Sequence, residues 1–88
     1  MATTTRRTSA SRFVICVDNT EYPASLELHK LYRVLPDREA KRHGDLRVVD
    51  ESGEDYLYPA DYFVPVDLSR NAVRALNRAY RAASRATA

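Results

Sequence analysis

The 88-residue chain predicts a mainly-β domain: five short strands forming a five-stranded small barrel, a C-terminal α-helix and a disordered N-terminal arm. Three observations carry this expectation. Short apolar segments rich in β-branched and aromatic residues recur between clusters of turn formers. After Ser69 the periodicity switches to that of a helix. Residues 1–12, apart from Met1, hold only small, Thr/Ser and Arg side chains, which cannot anchor a segment to a core.

Phe13 to Val17 is a continuous apolar run and the first expected strand. Asp18-Asn19-Thr20-Glu21-Tyr22-Pro23 opens an irregular stretch that lasts to about His29. Leu31 to Leu35 resumes the strand pattern and stops at Pro36, which cannot donate a ladder hydrogen bond. Residues 37–43 favour a short helical turn with Gly44 as its C-terminal cap. Leu46 to Asp50 and Glu54 to Tyr58 form a predicted hairpin around Glu51-Ser52-Gly53, where Gly53 supplies a positive φ. Pro59 to Tyr62 reads as a 3₁₀ turn. Phe63 to Asp67 is the fifth strand, and Pro65 assigns it to an edge or a strand end.

From Ser69, the expected N-cap, Arg70, Arg74, Arg78, Arg81 and Arg85 fall within a stripe about 80° wide at ~100° per residue. Ala72, Val73, Leu76, Ala79, Tyr80 and Ala83 lie opposite and predict a modest docking face, with fraying after about residue 83. The domain division is therefore a basic arm 1–12, a β-domain 13–67 and an arginine-rich helix 68–88.

The order of connections, long (18–29), medium (36–44), tight (51–53) and four-residue (59–62), resembles the RT loop, n-Src loop, distal hairpin and 3₁₀ turn of SH3-like barrels. Tyr58-Pro59-Ala60-Asp61-Tyr62 is also similar to the P-x-x-Y segment of peptide-binding SH3 domains. The chain has no Trp at the start of the third strand and no A-L-Y-D-Y segment. Residues 46–59, from Leu46 through Asp50-Glu51-Ser52-Gly53-Glu54-Asp55 to Pro59, more closely resemble a group of small uncharacterised bacterial proteins with an SH3-like β-barrel. That resemblance implies a fold and no mechanism.

Composition excludes several functions. No apolar run approaches the ~20 residues of a membrane span, so no membrane contact is expected. One cysteine, Cys16, and two histidines, His29 and His43, make neither an intramolecular disulfide nor a zinc site of ordinary spacing. Cys16 is expected as a small buried hydrophobe in a cytoplasmic protein. Two glycines cannot build a phosphate loop. Asp50, Glu51, Glu54 and Asp55 read as a solvated charged turn, because paired carboxylates do acid–base work only in a cleft that raises one pKa. The chain is expected to be non-enzymatic, monomeric, and without metal or cofactor.

Two binding surfaces remain. Tyr22 and Tyr62 would approach each other in an SH3-like barrel. With Pro59, and with Asp18, Glu21 and Glu27 at the rim, they would form a groove for a basic or proline-bearing extended peptide or another protein. Tyr32, Tyr56 and Tyr58 are expected to fill the core. The other surface is the arginine stripe, with the basic N-terminal arm, suited to nucleic acid or a ribosomal partner. The net charge of +2 conceals a +3 arm, a −6 centre and a +5 tail, since all twelve acids lie within 13–67 against six cations. The acidic centre and the lack of base-stacking aromatics on the helix oppose that second reading. The structural alternatives are a plain solvent-exposed helical face, or a helix whose arginines pair with the acidic centre.

Overall fold

A computed structural model describes residues 12–87, with side chains from 13 to 82. The expected arm therefore lies outside the described residues, except for Arg12. The strands are β1 (Arg12–Cys16), β2 (Leu31–Leu35), β3 (Asp45–Val49), β4 (Asp55–Pro59) and β5 (Phe63–Val66). Helix α1 (Arg38–Arg42) precedes β3, a 3₁₀ turn (Ala60–Tyr62) joins β4 to β5, and α2 (Arg70–Thr87) ends the chain. All neighbouring strands are antiparallel, in the order β4-β3-β2-β1-β5. No ladder joins β4 to β5 among the described residues, so the sheet has two edges. Pro65 sits on one of them, where its missing N–H breaks nothing.

Local chemistry explains the element ends. Asp37 caps α1 by accepting from the Ala40 N–H at 3.0 Å, and Gly44 follows at φ +80°. Ser69 Oγ accepts from the Ala72 N–H at 3.1 Å and caps α2. Asp50 leaves the ladder rather than ending β3. Its N–H donates to the Glu54 carbonyl at 3.0 Å, and Gly53 turns the chain at φ +87°.

The sheet's period-2 alternation separates two faces. On the inner face Val14, Cys16, Tyr32, Val34, Val48, Tyr58 and Phe63 form the core, closed by Leu26 from the long 17–30 loop and Tyr62 from the 3₁₀ turn. Leu26 is fully buried. Its carbonyl accepts from Asn19 Nδ2 at 2.8 Å, and the loop is tied to the hairpin where the Glu51 N–H donates to the Ser25 carbonyl. Tyr32 and Tyr58 are core residues as expected, whereas Tyr56 is about half exposed on the edge strand β4.

The outer face is covered in part by α2. Phe13 is 3% exposed although it belongs to the outer face, because the Tyr80 ring stacks on it at 6.2 Å. Arg33, the cross-strand partner of Phe13, lies 5.7 Å from the centre of the Tyr80 ring and donates to Asn77 Oδ1 at 3.4 Å. Ala72, Val73, Leu76, Asn77 and Tyr80 are accordingly half-buried; Ala79, expected among them, is exposed.

Candidate functional site: the tyrosine cluster and the arginine face

The tyrosine cluster forms as a packed corner. Tyr22 meets Tyr58 edge-on at 5.0 Å and Tyr62 at 6.1 Å. The approach of Tyr22 to Tyr62 is the juxtaposition expected from the sequence. Their exposures differ, however: Tyr22 is 38% exposed and Tyr62 only 9%. The Tyr62 hydroxyl donates to Glu21 Oε1 at 3.0 Å, and burial followed by this carboxylate pushes its pKa to about 12. Tyr62 therefore belongs mainly to the core, and Tyr22 is the surface ring. Pro59 is half-buried and precedes the 3₁₀ turn that carries Tyr62. Asp18 is engaged locally: Thr20 donates its hydroxyl at 2.5 Å and its N–H at 3.0 Å, which lowers the carboxyl's pKa. Glu27 is exposed, and its N–H donates to the Tyr32 hydroxyl at 2.7 Å.

The four hairpin carboxylates do not behave alike. Glu51, Glu54 and Asp55 are exposed, but Asp50 is 7% exposed, which corrects the expectation of a wholly solvated turn. Asp50 Oδ2 accepts from the Tyr58 hydroxyl at 2.6 Å, and Oδ1 accepts from Ser52 Oγ at 2.6 Å and the Ser52 N–H at 2.9 Å. Burial alone would raise its pKa, yet the Ser52 and Tyr58 donors outweigh it and hold the carboxyl below its ordinary value. Its partner Tyr58 is pushed to about 12, first by burial and then by the adjacent carboxylate. Glu51 Oε2 accepts from Lys30 Nζ at 2.7 Å and from the Tyr32 hydroxyl, and these two donors lower its pKa. Asp50 and Glu51 are thus occupied as hydrogen-bond acceptors. Among the described residues no group of three His, Cys, Asp or Glu is placed to hold a metal ion. No helix among them is long and apolar enough to cross a membrane.

Arg70, Arg74, Arg78 and Arg81 are all exposed. The side chain of Arg85 lies outside the described residues. The ion pairs among the described residues are Lys30–Glu51, Arg42–Glu39, and Arg47 with both Asp37 and Asp55. None involves an α2 arginine. The seating of α2 through Tyr80 and Asn77 leaves the four arginines exposed, with Arg81 at the rim of a groove against the sheet, and the expected alternative of arginines paired with the acidic centre is absent among the described residues. An open groove of about 690 Å³ borders this face, lined by Leu31, Leu35, Val49, Arg33, Tyr80 and Arg81. Glu51 and Asp55 also line it, so its walls carry both charge signs.

Comparison with known protein families, with curated proteins and with solved structures returns no match. The geometry is therefore the basis for any functional reading. Sequence reasoning missed Phe13, Arg33 and Asn77 as the seat of α2. One signal was available: a strand apolar at every position needs cover on both faces.

Proposed function

We propose that this chain is a non-catalytic, cytoplasmic, SH3-like module that binds nucleic-acid phosphates through the exposed arginine face of α2. One observation carries this reading. Arg70, Arg74, Arg78 and Arg81 are exposed and without an ion pair among the described residues, on a helix held to the sheet by its other side. Guanidinium groups recognise phosphate oxygens through forked donors and release counterions on binding. The net −6 of residues 13–67 already counts Lys30, Arg42 and Arg47, the three cations that pair with Asp37, Glu39, Glu51 and Asp55, so phosphate contact is assigned to α2 and not to the sheet.

Chemical-shift mapping on the full chain tests this with a mixed pool of RNA and duplex DNA at low salt. Shifts concentrated on 70–81 that reverse with added salt are expected. Absence of shifts at ~50 mM salt, where phosphate contacts are strong, would overturn the reading.

The 6.1 Å approach of Tyr22 to Tyr62 favours a second reading, capture of a basic or proline-bearing peptide beside Tyr22, Glu21 and Pro59. A peptide pool of that composition should then shift Tyr22 and Glu21; shifts confined to α2 would sink it.

A further inference from the structure

We infer that the ligand of the arginine face is a double helix gripped by its phosphates. This inference rests on the phosphate-binding reading above and names its substrate class. Its first support is the state of Tyr80, the one aromatic residue of α2. One contact of its ring is the stack on Phe13 at 6.2 Å, and another is the Arg33 guanidinium 5.7 Å from its centre. The ring is half-buried and serves to seat the helix. Single-strand binders combine a basic track with aromatic rings on which unpaired bases stack. This face has the track, and its aromatic ring is already spent on the sheet.

The second support is the shape of the charge array. Arg70 to Arg81 spans eleven residues of helix, or about 16 Å at ~1.5 Å per residue. A duplex places a charge every ~1.7 Å of its axis, so about ten phosphates pass that length, whereas one strand alone offers about half as many. A row of cations along one helix face gains most from a partner whose phosphates are already fixed in space, since a flexible strand must be ordered to match it.

The test is fluorescence anisotropy of the full chain with four labelled probes: 20-base-pair DNA, 20-base-pair RNA, and unstructured dT and U oligomers of the same length. The expected result is at least about tenfold tighter binding to a duplex, with the DNA and RNA arms showing which helix form fits better. For four phosphate contacts the log–log salt slope should lie near −3.6, so affinity falls about 10²-fold between 50 and 200 mM salt. Equal or tighter binding to the single strands would overturn the duplex inference while leaving the phosphate reading standing. Binding to none of the probes at 50 mM salt would overturn both.

Discussion

Asp50 is the residue whose removal should reveal most about how the hairpin is held. Its carboxylate is buried and accepts from Tyr58 and twice from Ser52. Replacing Asp50→Ala removes a charge-assisted bond of about 1.5–3 kcal/mol and leaves the buried Tyr58 hydroxyl without that partner, so a loss of about 3 kcal/mol is expected. Against a stability of roughly 0.05–0.15 kcal/mol per residue, that is a large share for a domain this small. Tyr58→Phe keeps the ring contacts with Tyr22 at 5.0 Å and Phe63 at 6.3 Å and deletes only the hydroxyl. Urea denaturation of both single variants and the double variant gives the coupling, expected at about 1.5–3 kcal/mol. The sign with pH follows from the lowered folded-state pKa. Asp50 contributes its full stability above its unfolded value and loses it as pH falls through the folded one, so Asp50→Ala should flatten the acid limb of the stability curve. A coupling below about 0.5 kcal/mol, within the error of additivity, would refute the claim that this pair organises the hairpin.

Phe13→Ala should cost about 3–5 kcal/mol, because Phe13 is buried only while α2 lies on it. Hydrogen exchange should show α2 amides losing protection before β3; uniform loss would argue against a separable seat. Cys16 is fully exposed to neither solvent nor reagent, being 0% accessible with its thiol pKa raised by burial, so a disulfide-exchange reagent should label it only after denaturation. Labelling in the native state at the denatured rate would contradict its place in the core. Gly53→Ala meets no steric obstacle but must hold φ +87°, so a loss of about 1–2 kcal/mol is expected in thermal unfolding. An unchanged melting point would show that the turn relaxes to another form.

Much of the fold was legible because strand and turn chemistry are local. Leu31 to Leu35 matched residue for residue, and Ser69 and Gly44 punctuate helices as their chemistry requires. The β3–β4 hairpin was misplaced by one residue on each strand, since Asp50 looks like a strand residue until Ser52 and Tyr58 draw its side chain into the core. That network needs Tyr58 eight positions away, which local patterns do not encode. Similarly, Tyr62 and Tyr22 were correctly paired, but their unequal burial depends on how the 17–30 loop folds back through Leu26. That Arg70, Arg74, Arg78 and Arg81 share one exposed helix face is readable from helical spacing; the Arg85 side chain lies outside the described residues. The way the helix seats on the sheet is not readable, because that depends on Tyr80 finding Phe13 and Arg33 across more than forty residues.

The most direct test of the phosphate-binding account replaces Arg70, Arg74, Arg78 and Arg81 together with glutamine, a residue of comparable helix propensity. Anisotropy with labelled 20-base-pair DNA at 50 mM salt should show binding lost by about 10²-fold or more, with the circular dichroism spectrum and melting temperature retained. Wild-type affinity in that variant would contradict the account.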